Sequence, residues 1–127
     1  MASGAALLVR KSEFDKLGGF DENIFLYYED DDLSARIVKS GRSMHYVHDA
    51  VVHHQQAKSS APTPDLSAFR DYQAMKSRIY ARRKHGVRVM RRWRIAEERT
   101  RAFLASLKGD AAKSARARAR LQALREG

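Results

Sequence analysis

The sequence predicts an α/β fold, and three observations carry the prediction. Short apolar runs of strand type at residues 5–9, 43–47 and 50–54 alternate, in the first half, with short segments of helical period. Glycines stand where each of those helical segments should stop, at Gly18, Gly19 and Gly41. The second half then changes to long stretches in which apolar residues recur at three and four while arginine fills many of the other positions.

The elements follow in chain order. Residues 5–9, Ala-Ala-Leu-Leu-Val between Gly4 and Arg10, read as a buried strand or the end of one. Ser12 reads as the cap of a short helix whose start is complemented by Glu13 and Asp15, whose one face holds Phe14 and Leu17, and which Gly18-Gly19 ends. Residues 20–28 are rich in aromatics without a clean period and read as an irregular loop. Leu33 and Ile37, flanked by Ala35 and Val38, predict a second helix from about residue 32 to Ser40, ended by Gly41, with Asp30-Asp31-Asp32 at its N-terminus. Two β-rich pieces, 43–47 and 50–54, are joined by a turn at His48-Asp49. Residues 55–64 hold both prolines and read as a flexible loop, with Thr63-Pro64 as cap and first helical position. Leu66, Phe69, Tyr72, Met75 and Ile79 mark one amphipathic helix closing at Gly86. Val89, Trp93, Ala96, Thr100, Phe103 and Leu107 mark another, ended by Gly109-Asp110. Residues 111–126 offer only Leu121 and Leu124 as large apolar side chains, which predicts a weak helix or a frayed tail.

With 127 residues, 43% of them apolar and 31% charged, the chain suits one soluble core. Its charge is bipolar. Residues 1–60 hold 7 Lys/Arg against 9 Asp/Glu, net −2, and residues 61–127 hold 18 against 6, net +12. A basic rear of that strength meets phosphate, lipid headgroup or nucleic acid. The absence of cysteine excludes disulfide and thiolate chemistry and suits a reducing compartment. No run of about 18 apolar residues exists to span a membrane.

The densest chemistry is Glu29-Asp30-Asp31-Asp32, four consecutive acids behind Tyr27-Tyr28. Carboxylates crowded in this way repel one another. Either they complement the start of a helix or they are held for chemistry, and the spacing alone leaves both open. Tyr27 and Tyr28 read as packing beside a small core more than as a stacking platform for a ligand.

Several stretches together resemble a known family. Residues 4–10 (Gly-Ala-Ala-Leu-Leu-Val-Arg), Phe14, residues 17–22 (Leu-Gly-Gly-Phe-Asp-Glu) and residues 25–30 (Phe-Leu-Tyr-Tyr-Glu-Asp) with Asp32-Leu33 are similar to the segment entering the acidic catalytic motif of bacterial family 2 inverting glycosyltransferases, the rhamnosyltransferase-like group. Asp49-Ala50-Val51-Val52 with His54 resembles the following strand and metal-side histidine, and Lys76-Ser77-Arg78 through Lys84-His85-Gly86 the next helix. The resemblance implies a partial GT-A fold, a Rossmann-like α/β sandwich, over residues 1–60, the acceptor side of the catalytic domain. Residues 61–127 would add basic amphipathic C-terminal helices. It also implies a nucleotide-sugar donor, a divalent cation (Mg²⁺ or Mn²⁺) and a glycan or lipid-linked acceptor in cell-envelope polysaccharide or glycolipid synthesis. The place would be the cytoplasm, peripheral on the inner face of the cell membrane. The family's nucleotide-binding half, with its Asp-x-Asp, would precede residue 4, so the chain is expected to be a fragment that is inactive alone.

Carried over residue by residue, Asp30 is the expected catalytic base, with Glu29 and Asp32 as its support. His54 is the expected metal ligand, and Lys76 or Arg78 the expected contact to diphosphate. An inverting transfer needs one base for the acceptor hydroxyl, unlike hydrolases in which two carboxyl groups flank the bond. His53, by strand alternation, should point away from His54. Asp31 stands where the family's motif is commonly apolar, and Gln55, Gln56 and Lys58 stand where small residues are usual. For the basic rear, an interfacial helix on anionic lipid and a solvated helix packed on the domain weigh equally. The competing functional classes are a basic nucleic-acid-binding module and a non-catalytic scaffold.

Overall fold

The computed structural model describes residues 4–54 and 63–127. Among these, five helices form: α1 (Lys11–Lys16), α2 (Glu29–Lys39), α3 (Pro64–Lys84), α4 (Arg91–Leu107) and α5 (Ala111–Glu126). The expected loop at 55–64 lies outside the described residues except for Thr63 and Pro64, as do Gln55, Gln56 and Lys58.

The α/β expectation, and with it the partial GT-A sandwich, is overturned: the described residues form helices and no strand. The reason is pairing. A strand is stable only when a neighbour about 4.8 Å away takes its N–H and C=O groups. Residues 7–10, 42–47 and 50–54 lack regular secondary structure, and their apolar side chains face outward, with Leu8 100%, Val47 62% and Val51 76% exposed. The turn expected at His48-Asp49 does form, with the Ala50 N–H donating to the Val47 carbonyl at 3.2 Å, yet its flanks make no ladder.

The helical expectations fare better, with shifted ends. Helix α1 starts one residue before Ser12, and Arg10 holds the cap position without a side-chain bond. Helix α2 begins at Glu29, so the acids fill its first turn instead of preceding it. Gly18, Gly19 and Gly41 have φ of +82°, +70° and +77°, the left-handed conformation that ends both helices at least steric cost. At α3 the Thr63 hydroxyl accepts from the Leu66 N–H at 3.2 Å, and Pro64 occupies the first turn.

The expected frayed tail is instead a core helix. Asp110 caps α5 by accepting from the Lys113 N–H at 2.9 Å, and α5 packs against both α3 and α4. Leu124 and Ala123 are buried with Met75 and Ile79 of α3, and Tyr72, Val89 and Ile95 pack around them. Alanine makes this possible, because a small face at Ala117 and Ala123 lets helices approach closely, while each large buried side chain contributes roughly 1.5–3 kcal/mol. Two arginines of α5 serve the same seam. Arg116 and Arg120 pair with Asp71 of α3 at 2.7 and 2.6 Å, and Arg120 also reaches Glu98 of α4 at 3.0 Å, whose side chain is 1% exposed.

The front segment docks on the other side of α3. Ile24, Leu33 and Ile37 are buried, and the Ser77 hydroxyl donates to the Leu26 carbonyl at 2.8 Å. Helix α3 thereby touches both halves of the chain and holds the acidic helix start in place.

Candidate active site

The backbone entering α2 is strained. Tyr27 and Tyr28 have φ of +62° and +71°, consecutive left-handed conformations without glycine, and Tyr28 is the N-terminal cap position of α2 with no side-chain cap bond. Such residues cost on the order of 1–3 kcal/mol each and cluster at working sites, where surrounding structure holds them. Tyr27 is exposed and Tyr28 half-buried.

The strained pair delivers the acids into the first turn of α2, where the positive end of the helix dipole offsets their mutual repulsion. Asp30 accepts the Gly4 N–H at 2.7 Å through Oδ2 and the Asp31 N–H at 2.9 Å through Oδ1. These bonds anchor the residue-4 turn to the helix start and orient the carboxylate. Glu29 is half-buried, and its Oε2 is buried without a hydrogen-bond partner among the described residues. A buried carboxylate oxygen left unmatched in this way marks a place where another group is expected. Asp31 is half-buried; burial pushes its carboxyl up, and the neighbouring Asp30 charge adds to that.

Asp32 points elsewhere. On a helix of 3.6 residues per turn it projects about 200° round from Asp30, toward α3. Its side chain is fully buried. Arg36 Nε donates to Oδ2 at 2.8 Å, and Lys84 Nζ and His85 Nε2 both meet Oδ1 at 2.8 Å. Burial raises the Asp32 carboxyl, but hydrogen bonds from Lys84, His85 and Arg36 more than offset it, leaving the group below the usual carboxylate range. Arg36 also donates to the carbonyls of Leu17 and Gly19 at 2.6 and 2.7 Å, closing the glycine turn after α1 onto α2. Lys84 continues to Asp21 at 2.6 Å, and Tyr80 donates to the same Asp21 oxygen at 2.9 Å. The Lys84 bond, chiefly, holds the Asp21 carboxyl far below its ordinary value against the effect of burial. An open cavity of about 280 Å³ lies beside this network, with Leu17, Phe20, Asp21, Glu22, Arg36 and Lys84 in its lining.

Asp21, Arg36, Lys84 and His85 are thus central here, and sequence reasoning assigned none of them a role. Asp32 and His85 are 53 positions apart, and no periodicity links them. The one available signal was that Asp21 and Lys84-His85 fall within the stretches that carry the family resemblance.

The other expected site residues are not gathered with Asp30 by any described contact. His53 and His54 stand exposed in a stretch without regular secondary structure, and among the described residues no three His, Asp or Glu side chains converge as a metal-binding set. Lys76 is exposed. Arg78, two positions on and so on a different side of α3, lines a separate cleft against α4.

Comparison with curated proteins finds a local likeness to rhamnosyltransferases. Over 62 residues the chain is 48% identical to the N-acetylglucosaminyl-diphospho-decaprenol L-rhamnosyltransferase of Mycobacterium tuberculosis, in strains CDC 1551 / Oshkosh and H37Rv, a match covering 49% of this chain and 20% of the relative. Over 45 residues it is 44% identical to Rhamnosyltransferase WbbL of Escherichia coli K12, covering 35% of this chain and 17% of that relative. The match thus spans a fifth or less of the curated relatives' length. No family model and no solved structure matches the chain. The matched stretch is glycosyltransferase-like, and the names of the relatives place them in sugar transfer.

Proposed function

We propose that this chain carries the acceptor-side carboxylate of an inverting glycosyltransferase, one that moves a sugar from a nucleotide-sugar donor to a hydroxyl of a lipid-linked acceptor in cell-envelope polysaccharide synthesis. The observation that carries the reading is the 48% identity to a rhamnosyltransferase over about half of the chain. The strained approach at Tyr27-Tyr28 and the unmatched Glu29 oxygen support it independently, since neither is needed by a helix that is merely capped. In this reading the nucleotide-binding half is supplied by a stretch other than the residues described here.

Asp30 is the base. An ionised carboxylate offers roughly four lone-pair directions, and the two backbone N–H groups on Asp30 leave room for an acceptor hydroxyl. As that hydroxyl oxygen forms its bond to the anomeric carbon, its proton passes to Asp30. The bond from the anomeric carbon to the donor phosphate oxygen breaks on the opposite face, and the nucleoside diphosphate leaves with the electron pair. Configuration inverts.

A divalent cation belongs to this reading on the donor side. No three ligating side chains converge among the described residues, and the reading assigns the cation one imidazole, His54, so its remaining ligands fall to the donor's diphosphate and to residues elsewhere, and the proton transfer above does not involve it. His54→Ala is expected to raise the Mn²⁺ concentration needed for half-maximal transfer more than His53→Ala does; the opposite order in a metal titration removes His54 from the role.

The reading is tested by grafting residues 4–54 in place of the matching stretch of the M. tuberculosis relative. Transfer by the chimaera, with a product of inverted anomeric configuration, is the expected result. Retained configuration, or a folded chimaera that binds donor without transferring, sinks the proposal.

A further inference from the structure

A second concave site, lined by side chains from Met75 to Glu97 and by Leu124, lies more than 40 positions beyond the acids in sequence. A cleft of about 350 Å³ opens between the C-terminal half of α3, residues 88–90 and the first turns of α4. Its floor is apolar, with Met75, Ile79, Val89 and Leu124. Its walls carry four guanidinium groups, from Arg78, Arg82, Arg88 and Arg94, against one acid, Glu97.

The cations of this cleft are poorly matched, in contrast to Arg116 and Arg120 of α5. Arg94 meets Glu97 at 3.4 Å, and Glu97 is shared with Arg101 at 2.6 Å. Arg82 donates to the neutral Arg88 carbonyl at 3.3 Å. Arg78 and Arg88 have no acidic partner among the described residues. Guanidinium groups gathered over an apolar floor repel one another more than they would in water. The start of α4 adds to the excess: its first turn has no acid and no side-chain cap and carries Arg92 and Arg94, while Arg91 is turned to the Leu124 and Arg125 carbonyls at the end of α5. A phosphate group placed here gains fork-shaped hydrogen bonds and relieves that repulsion.

The rim says what the phosphate is attached to. Trp93 is 68% exposed at the cleft mouth, and Leu104 and Leu107 lie on the same face of α4, also exposed, with Phe103 beside them. At 1.5 Å per residue this face runs about 20 Å from Trp93 to Leu107, apolar at its two ends with Glu97 and Thr100 between them. A charged head beside exposed apolar side chains matches an anionic amphiphile better than a free nucleotide or a nucleic-acid backbone, either of which would leave Trp93, Leu104 and Leu107 in water.

We propose that the α3–α4 cleft is a lipid-phosphate site: it takes the phosphomonoester headgroup of an anionic bilayer lipid, with Trp93, Leu104 and Leu107 lying in the interface. The proposal stands on the cleft alone and survives or fails separately from the role of Asp30.

The test is binding of the whole chain to vesicles of phosphatidylcholine with and without phosphatidic acid at 0.15 M salt. Trp93 is the sole tryptophan, so its emission reports directly. Binding with a blue shift is expected for the vesicles containing phosphatidic acid, and little for phosphatidylcholine alone. Arg82→Gln with Arg88→Gln should weaken vesicle binding by about 30-fold or more. A control of equal charge, Arg92→Gln with Arg99→Gln, removes exposed arginines that do not line the cleft, and should cost about threefold or less. Helicity of both variants by circular dichroism is expected to match wild type, since none of the four side chains has an acidic partner among the described residues. Equal losses for the two pairs reduce the effect to net charge and overturn the cleft. An unshifted Trp93 on bound vesicles, or duplex DNA binding tighter than the vesicles, also overturns it. Inorganic pyrophosphate that matches vesicle affinity makes the source a soluble phosphate and overturns the lipid.

Discussion

Asp30→Asn is expected to cut sugar transfer by about a thousandfold in the chimaera that carries residues 4–54, with donor affinity held within about twofold. The substitution is chosen to separate two roles. Asparagine keeps a carbonyl oxygen that accepts the Gly4 N–H, so the anchoring bond at 2.7 Å has a replacement and the start of α2 stays in place. What it loses is the ability to take a proton from the acceptor. A large fall in kcat with unchanged donor binding is therefore the mark of a base. An unchanged kcat would show that the acids of α2 serve the helix dipole alone. Glu29→Gln should fall between the two, because it alters the charge beside Asp30 and leaves the base in place.

The second large effect is on the fold. Asp32→Ala should lower stability by about 3 kcal/mol or more, because it removes the common acceptor of Arg36, Lys84 and His85 and leaves those donors without it. In thermal unfolding that corresponds to a drop in Tm of roughly 10 °C or more. A melting point within a few degrees of wild type would show that the ion network contributes little.

The same network fixes the response to acid. Asp21 and Asp32 both have folded carboxyls below their ordinary values, so each contributes stability that is present above the unfolded value, about pH 4, and lost as pH falls toward the folded value. Wild type should therefore lose stability steadily below about pH 4. Asp32→Asn should start less stable at pH 7 and show a shallower decline, which urea midpoints at pH 7, 4 and 3 would measure. An identical slope in the two proteins would remove Asp32 as a source of the acid response.

These two predictions separate residues that the sequence presents as one cluster. Asp30 and Asp32 are two positions apart, yet the helix turns one toward the residue-4 backbone and the other into the junction with α3. The cluster was legible because four acids in a row are conspicuous. Its division was not, because the start of α2 at Glu29 sets which acid faces which neighbour, and the expected start at about residue 32 would have placed Glu29, Asp30 and Asp31 ahead of the helix.

By itself the sequence determined the helices whose signals are local: the Thr63-Pro64 start of α3, the glycine stops at positions 18, 19 and 41, and the periodic faces of α3 and α4. It also determined the charge asymmetry and the likeness to rhamnosyltransferases. Only the tertiary structure decided that the apolar runs at 5–9, 43–47 and 50–54 stay unpaired, that the alanine- and arginine-rich end becomes the core helix α5, and that Lys84 and His85 meet Asp32. A cap or a glycine stop is satisfied within a few residues of chain, whereas a strand, a small-residue helix face and a buried carboxylate each depend on a partner far along the sequence.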